Sequence, residues 1–438
     1  MSNSGDSITM ANANPATKAR LGVKPWIVCF SAALFFFYEF IQMNMFSAID
    51  ADLMRDFNIN AHQLGYLSAV YFYSNVIFLF FAGMLLDRFS TRRIIFISLA
   101  ICAGGTFAFA LATNYYFAAF FRFLTGIGSA FCFLSCIRLA SRWFPANMMA
   151  LISGLIVTMA MTGGMVAQTP LTLLVEKFGW RQALMYDAGL GVVILAIIML
   201  NVKNYPAGYA AADFEQHKFL SELGYWRSFK LAYFKVQNWL CGIYSSLLNL
   251  SIFLLGAIWG SLYLMQIHHF THEQATYPTS LIFMGTILGA PLVGWLSDRM
   301  GRRKPLMLLG AILSIGLVLA IIYAPDLSLV SYSVLFFLLG LTTSTQVISY
   351  PTVTESNPKI ITATAVSVVS LCCIGGGAIF QPLFGWLMDL SKDSIVVNGV
   401  HVYSLHDYHM GLAILPIAFL VALVAALLIK ETRCQSLE

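Results

Sequence analysis

Long uninterrupted apolar runs constrain the fold of this 438-residue chain more than any other feature. Runs of about 20 residues recur along it, which is the length that a helix needs to cross roughly 30 Å of hydrocarbon. They lie near residues 25–48, 63–86, 93–113, 117–140, 149–174, 182–202, 239–266, 274–297, 305–323, 328–349, 360–387 and 410–430. A segment in hydrocarbon must satisfy its own backbone hydrogen bonds, which favours helices. The sequence therefore predicts an all-α integral membrane protein with twelve transmembrane helices.

The composition excludes a soluble globule. Hydrophobic residues make up 59% of the chain and charged residues only 10%, which is too little charge to cover a soluble protein of this size. The eight Cys fall mostly inside apolar runs without paired metal-ligand spacing, and we interpret them as small apolar side chains. No nucleotide-binding loop, metal-ligand helix pair or Ser/His/Asp constellation is present in the sequence, so we expect neither an enzyme nor a cofactor.

Lys and Arg are concentrated in alternate loops. They occur in the stretch 203–238 and at Lys18, Arg20, Lys24, Arg88, Arg92, Arg93, Arg142, Arg299, Arg302, Arg303, Lys304, Lys430 and Arg433. Cytoplasmic loops carry an excess of these residues, so we predict that this side and both termini are cytoplasmic. The distribution explains the net charge of +5 without a nucleic-acid partner, and we expect a bacterial inner membrane as the location.

The two halves of the chain repeat each other. Residues 83–93, which follow the second apolar run, correspond to residues 294–304, which follow the eighth. The Gly-Gly segments at 163–170 and 376–382 form a second pair, and both pairs are offset by about 211 to 213 residues. Transporter folds built from repeated bundles show this kind of internal symmetry. The predicted regions are a flexible tail (1–23), a six-helix bundle (24–202), a cytoplasmic linker (203–238), a second six-helix bundle (239–433) and a C-terminal tail (434–438).

The two repeated loops share the pattern Gly-x-x-x-Asp-Arg-x-x-x-Arg followed by Arg or Lys. This pattern resembles the signature between the second and third helices of the major facilitator superfamily. The resemblance implies the two pseudo-symmetric bundles of that fold, with the Asp at the N-terminus of a neighbouring helix, where the helix dipole favours an anion. It also implies that these loops latch the cytoplasmic side, so we expect gating roles for Asp87, Arg88, Asp298 and Arg299. The alternative is a plain loop rich in positive charge.

Few charges lie deep in the apolar runs, and a buried ionisable group in a membrane helix marks a candidate functional site. Glu39 in the first run is our candidate for proton coupling, with Arg122 in the fourth run at a similar depth. The alternative is a permanent Glu39–Arg122 pair in a uniporter. Arg138 is our first candidate for holding an anionic substrate, and the alternative is a side chain that reaches the cytoplasmic interface. We expect Asp187 at the interface and no embedded charge in the second half.

Neutral polar and aromatic side chains complete the predicted cavity. Those expected to contact substrate, besides Arg122 and Arg138, are Tyr38, Gln42, Tyr71, Asn75 and Gln168 in the first half and Asn249, Trp259, Tyr263, Gln346, Tyr350 and Gln381 in the second. Amides and aromatic rings with one or two Arg and one Glu suit a small zwitterion or carboxylate better than a bulky cation. Each aromatic residue has packing as its alternative role.

A narrower resemblance rests on five segments of the first half, at 35–40, 52–57, 65–73, 142–145 and 178–181. They resemble the phagosomal transporter group of intracellular bacteria and its relative, the lysosomal dipeptide transporter. That resemblance implies uptake of amino acids, nucleosides or small peptides.

The sequence predicts a secondary active transporter that works by alternating access as a monomer in the lipid bilayer. We expect proton-coupled import of a small amino acid or related zwitterion, driven by the proton gradient. The alternatives are an organic-anion or carboxylate-siderophore permease, a dipeptide or nucleoside uniporter, and, in another class, a nutrient receptor that does not transport.

Overall fold

The structure is a computed structural model that describes residues 22–59, 61–167, 169–206, 225–324, 327–390, 395–397 and 400–435. Within these residues, 12 helical spans are long and apolar enough to cross a membrane. The predicted all-α class and the number of spans are confirmed. The N-terminal tail, Gln168 and residues 207–224 of the linker lie outside the described residues.

The first half contains spans 1 to 6. Its helices are Val23–Asn44 (span 1), Phe46–Phe57, Ala61–Arg88 (span 2), Thr91–Ala110 (span 3), Tyr115–Ser129 and Cys132–Trp143 (span 4), Met149–Ala167 and Thr169–Phe178 (span 5), and Trp180–Asn201 (span 6). Local signals set several of these ends. Ser90 and Asn114 cap spans 3 and 4 by accepting hydrogen bonds from the backbone N–H groups of Arg93 and Phe117.

The second half contains spans 7 to 12. After the linker helix Tyr225–Tyr233, its elements are Val236–Leu250, the π-helical Ser251–Trp259 and Gly260–His268 (span 7), His272–Met300 (span 8), Lys304–Tyr323 (span 9), Leu329–Thr343, the 3₁₀ segment Ser344–Ile348 and Ser349–Ser356 (span 10), Thr362–Leu390 (span 11), strands Ile395–Val397 and Val400–Val402, and Leu405–Leu412 and Ile414–Leu428 (span 12). The two strands form an antiparallel hairpin that the sequence analysis did not predict.

The halves pack closely at the end of the bundle that carries the Arg-rich loops 88–93 and 299–304, which we call the basic end. Spans 5 and 8 meet there backbone to backbone. A Cβ atom at Gly154 would lie 2.3 Å from the carbonyl oxygen of Ala290, and one at Gly294 would lie 2.3 Å from that of Ala150. Small residues allow this approach of two membrane helices. Glycine is therefore required at both positions to close the basic end.

Candidate functional site

A central cavity lies between the two halves. Its polar lining comes from both: Glu39, Asn75 and Ser129 from the first half, and Asn249, Tyr350, Ser370 and Cys373 from the second. Its volume is about 90 Å³. One water needs about 10–15 Å³ of such space, so the cavity has room for several waters. It must widen to admit a larger solute.

A second chamber of about 360 Å³ continues the cavity away from the basic end. It shares Phe253 and Ile374 with the central cavity. Its other lining residues include Ser68, Tyr73, Trp259 and Gln381. These belong to the outer parts of spans 2, 7 and 11, so the chamber lies between the central cavity and the end opposite the basic end.

Glu39 lines the central cavity with only 5% of its surface exposed. The hydroxyl of Tyr71 donates a hydrogen bond of 3.4 Å to its Oε1. The ring of the same Tyr71 lies 4.3 Å from the guanidinium of Arg122, which also stacks on Phe46 at 4.7 Å. Tyr71 thus connects the carboxyl and the guanidinium, two groups that the sequence predicted to lie at similar depth.

Arg122 is fully buried, and none of its three side-chain nitrogens has a hydrogen-bond partner among the described residues. Arg122 and Glu39, both among the described residues, form no ion pair in this conformation. The permanent pair that we considered as an alternative is therefore not formed here. A buried charge without hydrogen bonds is costly. The arrangement is therefore one in which an anion that reached Arg122 would be strongly stabilised.

Two predicted substrate contacts of span 1 face away from the cavity. The Gln42 amide donates to the carboxylate of Asp187 and accepts a 2.7 Å hydrogen bond from Thr106. Tyr38 is buried against Gly191 of span 6. The structure therefore does not support Tyr38 and Gln42 as substrate ligands. The expectation that Asp187 lies at the interface is wrong, because its side chain is buried between spans 1 and 6 and held by an amide.

Second-half predictions divide between the cavity, the chamber and the helix packing. Asn249 and Tyr350 line the central cavity, and Gln346 lies behind them, donating 2.9 Å to the Asn249 side chain. Tyr263 does not reach either space. Its hydroxyl donates to the backbone of span 9, and its ring packs against His268. Trp259 and Gln381 line the outer chamber, and Gln168 lies outside the described residues.

Asp87 connects the halves at the basic end. Its carboxylate accepts hydrogen bonds from the backbone N–H groups of Ala363 (3.1 Å) and Thr364 (2.8 Å) and from the Thr364 hydroxyl (2.6 Å), at the start of span 11. Arg138 of span 4 donates to the same carboxylate and to the Asp87 carbonyl. This is an anion at a helix N-terminus in the other half, as the loop pattern implied.

The interpretation of Arg138 as the main substrate ligand is not supported. Its side chain is 1% exposed and paired with Asp87, outside both the cavity and the outer chamber. The alternative, a side chain that reaches the membrane interface, also fails because Arg138 is buried. Charge-assisted hydrogen bonds to Asp87 hold the guanidinium in the interior.

The second loop forms a corresponding contact with a different set of charges. Asp298 accepts a 2.9 Å hydrogen bond from the backbone N–H of Leu151 at the start of span 5. Arg303 donates to Asp298 at 2.6 Å, to Glu355 at 2.5 Å and to the carbonyl of Ala146 in the first half. Both loops therefore join one half to the other at the basic end.

The sequence analysis did not predict that Arg303 and Glu355 take part in the contact between the halves. The expectation that the second half has no embedded charge is wrong, since Glu355 is 2% exposed. The apolar run ended at residue 349, whereas the helix Ser349–Ser356 continues span 10. The hydroxyls of Thr352 and Thr354 in this helix donate to backbone carbonyls of the same span. Arg299 lies exposed over Trp295, and Arg88 donates to Ser228 of the linker helix.

A family model described as the Major Facilitator Superfamily matches residues 28–382. The chain belongs to this superfamily. Solved major facilitator structures have the same fold. The proton:xylose symporter XylE aligns with a TM-score of 0.74 at 14% identity, covering 94% of this chain and 98% of that one. FucP in its outward conformation aligns with a TM-score of 0.68 at 16% identity, covering 93% and 99%.

Several curated major facilitator proteins are similar at low identity. A probable hexose phosphate transport protein of Chlamydia pneumoniae is 22% identical over 66% of this chain and 67% of its own. A probable sulfoacetate transporter of Cupriavidus necator is 23% identical over 68% and 71%. The lysosomal dipeptide transporter of Danio rerio is 26% identical over 61% and 60%, which is the relative named by the narrower resemblance.

A C-terminal strap, residues 429–435, supports the contact of Arg303 with Asp298 and Glu355 in this major facilitator protein. The Glu431 carboxylate accepts 2.9 Å hydrogen bonds from the backbone N–H groups of Arg303 and Lys304, at the start of span 9. The Thr432 hydroxyl donates 2.5 Å to Glu355. The strap thus holds both the backbone of Arg303 and the carboxylate that its guanidinium binds.

Replacing Glu431 with Gln should loosen the strap. Partial burial acts to raise the pKa of Glu431, but the N–H donors of Arg303, Arg433 and Lys304 outweigh it and lower that pKa. The stabilisation by the charged form is therefore present above the ordinary pKa of Glu and is lost as the pH falls through the lowered value. At neutral pH we expect a loss of about 1 kcal/mol, or roughly fivefold in the open fraction of the strap.

The readout is the rate at which Cys434 reacts with a maleimide at fixed neutral pH, located by mass spectrometry. Burial raises the pKa of this thiol to about 11, so opening of the strap should increase the rate about fivefold. Glu176→Gln, at an exposed Glu in span 5, is the matched control and should leave the rate unchanged. Equal rates for Glu431→Gln and wild type would show that the strap is not held by this carboxylate.

Proposed function

We propose that the protein is a proton-coupled secondary transporter of a small organic solute that carries an anionic group. The observation that carries the proposal is the buried group of Glu39, Tyr71 and Arg122 beside the central cavity. Glu39 lines the cavity and can gain or lose a proton as the charges around it change, while the Tyr71 hydroxyl and the unpaired guanidinium of Arg122 lie next to it.

The coupling follows from electrostatics. Burial without a cation within bonding distance disfavours the charged form of a carboxyl, whereas a nearby guanidinium favours it. In the present geometry Tyr71 lies between the two groups, and we propose that Glu39 carries the proton here. When the helices rearrange, Glu39 can release the proton and pair with Arg122. Arg122 then acts as the coupling partner of Glu39.

The closed end of the bundle and the wider chamber lie on opposite sides of the central cavity. The contacts of Asp87 and Asp298 with the opposite half are both formed at the basic end. The larger chamber leads from the cavity toward the opposite end. The excess of Lys and Arg at the basic end supports placing that end in the cytoplasm. We therefore propose a bacterial cytoplasmic membrane location with both termini inside, and a conformation that is closed to the cytoplasm.

The solute class is supported by the relatives as well as by the chemistry. Hexose phosphate and sulfoacetate, which name two of the similar proteins, are organic anions, and a dipeptide, which names the third, carries a carboxylate. A small amino acid belongs to the same class as a zwitterion. An organic-acid permease and an amino-acid symporter therefore share the proposed mechanism and differ in whether an amino group is recognised.

Uptake into proteoliposomes tests the proposal. Pools of labelled amino acids, dipeptides, sugar phosphates and organic acids are offered with and without a pH gradient that is acidic outside. We expect at least one anionic pool to accumulate above equilibrium only when the gradient is present. Equilibration that ignores the gradient would make the protein a uniporter, and binding without uptake would make it a receptor.

A further inference from the structure

A directed chain of hydrogen bonds lies behind the second-half wall of the cavity. The Cys373 thiol donates to the Ser245 hydroxyl at 3.3 Å, and that hydroxyl donates to Oε1 of Gln346 at 3.2 Å. The Gln346 amide nitrogen then donates to Oδ1 of Asn249 at 2.9 Å. The Gln346 amide sets the direction of the chain, because its carbonyl oxygen only accepts and its nitrogen only donates, whereas the thiol and the hydroxyl can do either.

The chain fixes the side of Asn249 that faces the cavity. Since Oδ1 is held by Gln346, the Nδ2 group of Asn249 is left to donate into the cavity that this residue lines. Ser370, on the same wall, adds a buried hydroxyl with no hydrogen-bond partner among the described residues. The second-half wall therefore offers hydrogen-bond donors.

The first-half wall has the opposite polarity. The Asn75 amide nitrogen donates to the Ser129 hydroxyl at 2.7 Å, and that hydroxyl is committed as a donor to the carbonyl of Gly126. The Oδ1 atom of Asn75 is therefore the acceptor left at the end of these hydrogen bonds. It is buried and has no hydrogen-bond partner among the described residues. A buried acceptor of this kind costs free energy until a donor meets it. Glu39 adds carboxyl oxygens to the same wall.

We infer that the cavity selects a short carboxylate, or similar anion, that carries an amino or hydroxyl group next to it. The anionic acceptor faces Asn249 and Ser370 of the second half, and the donor faces Asn75 and Glu39 of the first. The small volume of the cavity sets the two groups only a few atoms apart. This inference rests on the proposed function, because it takes the cavity as the transport site, and it narrows the solutes to 2-amino and 2-hydroxy acids.

Binding to the detergent-purified full-length protein tests the inference without a proton gradient. The probes are matched trios: propionate, L-lactate and L-alanine, and the corresponding C4, C5, C6 and 3-phenyl acids. A bound ligand raises Tm by an amount that grows with the logarithm of its concentration divided by Kd, so shifts at one ligand concentration rank the affinities. We expect the amino or hydroxy member of at least one trio to bind roughly tenfold to a hundredfold more tightly than the unsubstituted acid. Equal binding within every trio, or no shift with any probe, would overturn the inference.

Two variants test the directed chain itself. Asn249→Asp replaces the donating amide with an anion, and Gln346→Glu removes the donor that holds Asn249 Oδ1, so that Asn249 turns its acceptor toward the cavity. Both should weaken binding of the best probe tenfold or more. Asn204→Asp, at the basic end and outside the cavity, is the control and should bind normally. If a folded Asn249→Asp or Gln346→Glu protein binds as wild type does, the chain does not set the polarity.

The failures of the two proposals can be told apart. Gradient-driven accumulation of a solute that lacks an adjacent amino or hydroxyl group would keep the proposed function and overturn this inference. Selective binding of 2-amino or 2-hydroxy acids without gradient-driven accumulation would keep the inference and remove proton coupling.

Discussion

Glu39→Gln protein should exchange solute across a liposome wall but fail to concentrate it. A pH difference of one unit is worth about 1.4 kcal/mol per proton, so wild-type protein can accumulate its solute about tenfold. Gln has nearly the shape of Glu and can accept the Tyr71 hydroxyl, but it cannot gain or lose a proton. The accumulation ratio should therefore fall to about one while counterflow exchange continues.

The control for this variant is Asp187, a buried carboxyl of the first half that lies away from the cavity. Asp187→Asn keeps the shape of a side chain that is held by Gln42 away from the cavity. It should accumulate solute as wild type does, in the same vesicles and with the same gradient. Normal accumulation by Glu39→Gln, or a loss in Asp187→Asn alone, would assign the proton to a different group.

Asp87→Asn should both destabilise the fold and open the basic end. Asn cannot neutralise Arg138, and leaving one member of a buried pair uncompensated costs about 3–5 kcal/mol. The lost charge also weakens the hydrogen bonds to Ala363 and Thr364, which join the halves. Hydrogen bonds to a charged group are worth about 1.5–3 kcal/mol. The ratio of closed to open protein should therefore fall roughly tenfold to a hundredfold.

Two measurements separate these effects. The Tm of thermal unfolding reports the cost of leaving the Arg138 charge buried without its carboxylate. The distance distribution between spin labels at Phe89→Cys and Lys359→Cys reports opening of the basic end. Both positions are exposed at that end, in opposite halves. The double variant Asp87→Asn with Arg138→Gln should recover most of the Tm but keep the open distances. A single variant with wild-type distances would show that this carboxylate does not hold the halves together.

Much of the fold could be predicted because membrane helices can be recognised in a sequence from the length and hydropathy of their apolar runs. The duplication could be recognised for the same reason, since the Gly-x-x-x-Asp-Arg loops are the polar segments between such runs. The end of span 10 was missed because the polar segment 350–356 resembles a loop, yet its Thr hydroxyls satisfy themselves within the helix. Glu355 lies in this segment, so the ion-pair partner of Arg303 was not predicted either.

The site was harder to predict because depth in a helix does not reveal the face of the helix. Glu39 and Gln42 are three residues apart in span 1, but only Glu39 lines the cavity, while Gln42 meets Asp187 of span 6. Arg138 was placed in the cavity by its charge alone, whereas its contact with Asp87 depends on the crossing of spans 2 and 4. The sequence carries no local signal for such pairings between distant segments.

Proton movement driven by solute is the most direct test of the central claim that Glu39 couples transport to protons. Vesicles containing the wild-type protein and a trapped pH dye, with no initial pH gradient, are exposed to an inward gradient of the accumulated solute. We expect acidification of the lumen that is absent in Glu39→Gln vesicles, although labelled solute still enters both. Solute entry without any pH change in wild-type vesicles would show that transport is not coupled to protons.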